Sequence, residues 1–246
     1  MFKLKRVNAA FKIRAAGGVL LVLVLTGCPS RPPRETAPPA VPVPRQPAVP
    51  HEGLPFRIVQ DESLLTVLVY RGGALARLGH NHVVASHALM GTAFVPQDLT
   101  HSSFEVHVPV NELAVDEPDL RSLEGPDFPR DVPDSAKQGT RNNMLGAALL
   151  DAEHYPEITL QSERIERTPE GLQAQVRVTV RDQMRVFGVP LRYEQSGNEL
   201  KVAGELALKQ TELGLTPFTA AGGALHVLDE IKVKFRIVAR SGEPGP

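Results

Sequence analysis

The sequence predicts an all-β domain built around an antiparallel sheet, and three observations point to that class. Strict alternation of apolar and polar residues recurs along the chain, as is typical of strands with one buried and one solvated face. Windows with helical periodicity are few. Roughly seven to nine strand-like segments fall within a length typical of one domain, which favours a sandwich or a closed barrel.

The strand segments differ in how regular their alternation is. GLQAQVRVTVRD, residues 171–182, places Leu172, Ala174, Val176, Val178 and Val180 on one face. The same alternation occurs in FEVHVPV (104–110), LKVAGELALK (200–209) and IKVKFRIVAR (231–240). Further strands are predicted in SLLTVLVYR (63–71) and PEITLQS (156–162), and one long strand in HVVASHALMGTAFV (82–95).

One stretch departs from the strand pattern. In SAKQGTRNNMLGAALLDAEHYP, Ser135 is expected to cap a short helix and Gly146 to end it, with a further turn from Asp151 that Pro156 stops. The preceding segment, residues 117–134, is polar and interrupted by prolines, which predicts a long excursion. Loops of that length are usually functional or mobile.

The N-terminus predicts export. MFKLKRVNAAFKIR is basic with no acidic residue, and an apolar run over residues 15–25 follows. The run has about half of the ~20 residues that a membrane span needs, so residues 1–27 are interpreted as a cleaved signal peptide. Leu-Thr-Gly-Cys, ending at Cys28, resembles the lipobox of bacterial lipoproteins. That resemblance implies a lipidated Cys28, which is the single cysteine of the chain. We therefore expect a lipid anchor in the bacterial cell envelope, in the outer membrane facing the periplasm.

Residues 28–53 follow as a proline-rich linker, and its segment 29–50 favours extended polyproline II structure up to ~70 Å long. Removing the five basic residues of the signal from the 27 in the chain leaves 22 to oppose 28 acidic residues, a formal charge near −6. This acidic balance argues against a nucleic acid partner. The folded domain is predicted over residues 54–241, and its oligomeric state stays open.

Four segments resemble the YceI-like (lipid and polyisoprenoid-binding) family. The most specific is LLDAEHYPEITLQSERIE, with its Tyr-Pro-x-Ile element; the others are RVTVRDQMRVFGVPLRYE, GELALKQTELGLTPFT and LHVLDEIKVKFRIVA. The resemblance implies an eight-stranded antiparallel, lipocalin-like (calycin-like) barrel with one short helical segment. It also implies an elongated apolar cavity that holds a long-chain lipid, such as an isoprenoid or a fatty-acid-like molecule. No other cofactor is expected. The long excursion and the Gly79-His80-Asn81-His82 element depart from the family pattern near a possible barrel mouth.

Periodicity alone does not separate a cavity from a filled core, because both have an alternating apolar face. On the cavity interpretation, six apolar residues of the helical segment and of turn-like positions are expected to cover one end of the barrel. They are Met144, Leu145, Leu149, Leu150, Phe187 and Phe218. The alternative is that they fill the core.

His80, His82 and His87 lie within eight positions of one another. On a strand, His80 and His82 point to the same side and His87 to the other. They are interpreted first as a polar rim of the barrel, with metal or haem ligation by His80 and His82 as the alternative. The chain contains no Gly-x-Ser-x-Gly elbow, no His-Glu-x-x-His motif and no phosphate-binding glycine loop. We therefore expect a membrane-tethered binding protein with a carrier or sequestering role, and not an enzyme.

Overall fold

The computed structural model describes residues 52–242. The predicted signal peptide, Cys28 and all but the last two residues of the linker lie outside this range. Twelve strands and two α-helices make up the described chain. The strands are β1 (Leu54–Ile58), β2 (Leu64–Gly72), β3 (His82–Ser86), β4 (Met90–Val95), β5 (Ser103–Pro109), β6 (Ala114–Val115), β7 (Glu157–Thr168), β8 (Gly171–Val180), β9 (Gln183–Ser196), β10 (Glu199–Lys209), β11 (Thr219–Ala220) and β12 (Leu225–Ser241). The helices are α1 (Pro118–Ser122) and α2 (Asp134–Leu145).

The strands close into the predicted eight-stranded antiparallel barrel. Closure is made by β1, which pairs with β4 on one side and with β12 on the other. The first three barrel strands are each interrupted, so that β1 and β2, β3 and β4, and β5 and β6 act as halves of one strand. The segment predicted as one strand over residues 82–95 is therefore two strands, with a break between Ser86 and Met90.

The up-and-down order gives the barrel two different ends. The helix end carries the excursion between β6 and β7, including α2, and the β8–β9 turn. The opposite end carries the start of β1, the connection from β4 to β5, and the β7–β8 and β9–β10 turns. The first described residues, Glu52 and Gly53, therefore lie at the end opposite α2.

The helix forms near its predicted place but begins differently. It starts at Asp134, and its N-cap position is Pro133, whose side chain makes no capping hydrogen bond. The expectation that Ser135 caps the helix is wrong, because the helix begins one residue earlier: Ser135 is its second residue and lies inside the first turn. The prediction that Gly146 ends the helix is confirmed, since it is the C-cap residue.

The long excursion covers part of the outer surface of the barrel. Phe128 packs against Leu68 and Val83, which point outward from β2 and β3. The rings of Phe128 and Tyr70 meet edge to face with centroids 5.5 Å apart. None of the helices within residues 52–242 has the length and hydropathy that a membrane crossing requires.

Candidate functional site: the apolar barrel cavity

The barrel encloses a cavity of about 330 Å³, within the range of small-molecule sites. Its wall is formed by inward-facing side chains from strands around the whole barrel, and no charged residue lines it. Along β8, the lining extends from Leu172 to Val180, which is ~26 Å at the usual rise of a strand. The apolar wall includes Val67, Val69, Val106, Val108, Leu160, Val176, Val178, Val189, Leu206, Val233, Phe235 and Ile237.

The cavity is closed at the helix end. Met144, Leu150 and Leu215 line it there and are each at most 8 % exposed. Gln210 is the polar residue of this closure, and its side-chain amide donates a hydrogen bond of 2.8 Å to the carbonyl of Leu228. The closure is therefore a packed apolar layer whose buried amide group already has a partner.

The opposite end of the cavity opens onto a surface groove. Val95, Leu99 and Tyr193 line both the cavity and this groove, and Leu54 and Gln195 extend the groove outward. Tyr193 is 41 % exposed and Leu54 is 61 % exposed. We call these five residues the mouth, because through them the apolar interior reaches solvent.

The residues predicted to cover one end have four different placements. Met144, Leu149 and Leu150 line the cavity at the helix end, while Phe187 lines its wall in the middle of β9. Leu145 packs beside the core cluster of that end without lining the cavity. Phe218 is 41 % exposed and does not line the cavity.

The histidines belong to a separate polar network at the helix end. His82 Nδ1 lies 2.6 Å from Asp116 Oδ2, and Thr140 Oγ1 of α2 lies 3.2 Å from His82 Nε2. His80 precedes β3, so the two-residue strand spacing does not apply to it. The rings of His80 and His82 are 6.2 Å apart. Neither histidine lines the cavity.

Asp116 and Arg121 form the centre of this network. Their side chains are fully buried and paired with each other. Asp116 also accepts a hydrogen bond of 2.9 Å from the backbone N–H of Val83. Burial raises the pKa of Asp116, but the hydrogen bonds from His82 and Val83 and the charge of Arg121 outweigh it, so the pKa lies below its ordinary value.

The alternative of a metal centre at His80 and His82 is not supported. Both ring nitrogens of His82 already have protein partners. Across residues 52–242, no group of three or more histidine, cysteine or acidic side chains is arranged to hold a metal ion. The pKa of His80 is lowered by burial and by the neighbouring charges of His82 and Arg121. The ring of His87 has a different partner, since its Nε2 lies 2.8 Å from Glu117 Oε2.

Two features of the site were not predicted from the sequence. The first is the mouth. Its signal in the sequence is Tyr193, an exposed aromatic residue near the end of the alternating strand β9. The second is Ser102, which lines the cavity beside the mouth. Its inward direction follows from the alternation with Phe104 and Val106, so extending that pattern by one step would have found it.

An eight-stranded antiparallel barrel around an apolar cavity is the architecture of lipocalin-like binding proteins. The YceI-like domain model matches residues 77–239. The chain belongs to the YceI-like family, as the four sequence segments had indicated.

Solved structures show the same fold. Burkholderia cenocepacia BcnA is 14 % identical, with a TM-score of 0.54 over 74 % of this chain and 98 % of its own. A polyisoprenoid binding domain from Saccharophagus degradans, implicated in plant cell wall breakdown, is 11 % identical. Its TM-score is 0.51 over 77 % of this chain and 99 % of its own. No curated relative matches the sequence significantly.

Proposed function

We propose that this protein binds a long-chain apolar lipid, of the isoprenoid or fatty-acid-like class, inside its barrel and acts as a carrier or sequestering protein. The observation that carries the proposal is the cavity of about 330 Å³, lined by aliphatic and aromatic side chains with no charged residue. Burying apolar ligand surface in such a site is favourable by about 25 cal/mol per Å². The fold shared with a domain named for polyisoprenoid binding supports the same ligand class.

The lining supports binding in preference to catalysis. Its polar members are Thr92, Ser102, Ser103, Tyr193 and Gln210. None of these is a carboxylate, an imidazole, a thiol or an amine. We propose in addition that Cys28 tethers the barrel to a membrane of the cell envelope, which would keep the cavity near a source of lipid.

A cavity-filling substitution tests the binding proposal. Val178→Trp places an indole in the cavity, because Val178 faces inward from β8. Native mass spectrometry is expected to detect a co-purified lipid on the wild type and none on the Val178→Trp protein. Thr179→Trp is the matched control, since it puts the same side chain on the outer face of the same strand. Retention of lipid by a folded Val178→Trp protein would contradict the proposal.

A further inference from the structure

Two chain segments pack together on the outside of the barrel at the helix end. The first, residues 71–79, runs from the end of β2 into the β2–β3 connection, and the second, residues 216–228, leads into β12. The ends of β2 and β12 are paired beside them, and the backbone N–H of Leu75 donates to the carbonyl of Ala224 at 2.8 Å. The two segments therefore form one continuous surface, which we call the loop surface.

The loop surface exposes large apolar side chains. Leu78 is 66 % exposed, and Phe218 and Leu228 are each 41 % exposed. Small residues occupy the other exposed positions that carry no charge, so that no long polar side chain stands in front of the apolar ones. Five of these small residues are Gly73, Ala74, Ala221, Gly222 and Gly223. Clustered exposed apolar side chains of this kind indicate a contact with a partner or a membrane.

The charge of the loop surface is positive, unlike that of the chain as a whole. Residues 28–246 carry 22 basic against 28 acidic residues, yet the loop surface contains Arg71 and Arg77 and no acidic residue. Both arginines are exposed. The Arg71 guanidinium donates to the carbonyl of Gly79, and neither arginine forms an ion pair with any residue of the described chain. Both positive charges therefore remain available to an anionic partner.

Acidic groups border the loop surface without entering it. Asp229 follows Leu228, and its carboxylate accepts hydrogen bonds from the backbone N–H and the hydroxyl of Thr211 at 2.9 and 2.7 Å. Asp127 lies in the excursion, where its backbone carbonyl accepts a hydrogen bond of 3.0 Å from the Asn81 amide. The positive charge is therefore confined to the two packed segments that also expose the apolar side chains.

The mouth also exposes an apolar side chain, Leu54, but its charges are mixed. Glu52 lies 3.5 Å from His101, and Asp98 lies 3.9 Å from Arg167. These acidic groups offset the cations of that end and repel an anionic surface. Of the two ends, the helix end therefore combines exposed apolar side chains with unpaired positive charge.

We propose that the loop surface docks onto an anionic phospholipid bilayer. Leu78 and Phe218 enter the boundary between the headgroups and the acyl chains, and Arg71 and Arg77 lie at the phosphate groups. Attachment of this kind gains from buried apolar area and from attraction to anionic lipids, and each arginine near the surface is expected to tighten binding about fivefold. The docking goes beyond the proposed function, because it depends neither on the ligand of the cavity nor on an acylated Cys28.

The experiment uses residues 28–246 with Cys28→Ser, so that neither the apolar run of the predicted signal nor an acylated cysteine can attach the protein to vesicles. The chain has no tryptophan, so Leu78→Trp and Phe218→Trp each place a single reporter in the loop surface. Leu54→Trp places the same reporter at the mouth. On phosphatidylcholine vesicles with about a third phosphatidylglycerol, the emission of the first two is expected to shift to shorter wavelength and to be quenched by brominated acyl chains. That of Leu54→Trp is expected to stay unchanged.

Co-sedimentation of tryptophan-free variants with the same vesicles measures affinity. Arg77→Gln is expected to weaken binding about fivefold, and Leu78→Ser about tenfold, because less apolar surface is buried. Added salt is expected to weaken wild-type binding, since it screens the arginines. Arg192→Gln and Leu54→Ser are the matched controls at exposed positions near the mouth, and both are expected to bind as the wild type does. Thermal unfolding checks that each variant is folded.

Four results would overturn the inference. They are no binding to the anionic vesicles, equal binding to pure phosphatidylcholine vesicles, and an emission shift of the Leu54→Trp reporter without one at Leu78→Trp. The fourth is self-association that Leu78→Ser abolishes in the absence of vesicles, which would make the loop surface a contact between copies of this chain. None of these results bears on ligand binding in the cavity, which Val178→Trp tests separately.

Discussion

Asp116 shows how much one residue can organise in this barrel. Its backbone has a positive φ of 58°, and its carboxylate contacts His82, the Val83 N–H and Arg121. Arg121 in turn donates to the carbonyls of Asn81 and Pro129 at 2.7 and 2.6 Å. A single buried ion pair therefore joins the segment leading into β3, the chain after β6 and the excursion.

Asp116→Asn is expected to lower the free energy of unfolding by about 3–5 kcal/mol, because it leaves the Arg121 guanidinium buried without a counter-charge. Asparagine tolerates a positive φ. Asp116→Ala is expected to cost a further ~1–2 kcal/mol, because alanine does not share that tolerance. Denaturant unfolding measures both. Asp119→Asn is the control: its ion pair with Arg130 is exposed, so the expected change is below about 1 kcal/mol.

Asp116 also makes the free energy of unfolding of the wild-type protein depend on pH. Because the folded pKa of Asp116 lies below the unfolded value of about 3.9, the unfolded state binds more protons between the two values. This contribution to stability is complete above the unfolded pKa and is lost as the pH falls through the folded pKa. In acid, the wild-type free energy of unfolding should therefore fall more steeply than that of Asp116→Asn. Parallel curves would show that Asp116 is not the responsible carboxyl group.

At the scale of elements, α2 is held by tertiary contacts on two faces. Met144 lines the cavity and also belongs to the core cluster of the helix end, so truncating it would change ligand retention and stability together. Arg141 has a separate role on the other side of the helix. Its guanidinium donates to the carbonyl of Leu113 and, at 2.6 Å, to that of Asn111. Arg141 therefore ties α2 to the chain around β6 without touching the ligand space.

Arg141→Ala is expected to speed the release of a bound apolar probe such as retinol, an isoprenoid alcohol whose own fluorescence reports binding. It is also expected to cost about 2 kcal/mol of stability, as the loss of charge-assisted hydrogen bonds does. Transfer of retinol to acceptor vesicles measures the release rate. Asn143→Ala, at an exposed position of the same helix, should leave the rate unchanged. Unaltered release from a measurably destabilised Arg141→Ala protein would show that α2 does not control retention.

For the whole molecule, the described chain begins at the mouth end, where β1 starts at Leu54. The sequence places the proposed lipid anchor 26 residues earlier, at Cys28. The proposed anchor therefore concerns the whole chain and is tested in cells.

Cys28→Ser is expected to move the protein from the membrane fraction to the soluble fraction, or to leave it as unlipidated precursor, because the acylated thiol is gone. Cell fractionation and the mass of the mature N-terminus check this. Ser30→Ala keeps the cysteine and should remain membrane-bound. Persistence of Cys28→Ser protein in the membrane fraction would refute the proposed anchor.

Much of the fold was predictable because it depends on local periodicity. Alternation in β8 and β10 specified the inward faces that the structure confirms, and Gly146 marked the end of α2. The break between β3 and β4 was not predictable, because an apolar run has the same residue pattern whether it forms one strand or two. The Asp116–Arg121 pair was missed because burial of a charge in a polar, proline-rich segment depends on distant residues such as Phe128, which packs over it.

The sequence by itself determined that this chain forms strands of alternating apolar and polar residues and which of their side chains point into the barrel. It also determined that the chain belongs to the YceI-like family. Only the tertiary structure decided that the interior holds an open cavity, that α2 closes one end, and that Tyr193 and Ser102 mark the other. The physical reason is that alternation specifies a direction for each side chain but not a volume. Whether inward side chains meet across a barrel or leave space between them depends on closure, which joins residues as distant in sequence as Phe56 and Ser241.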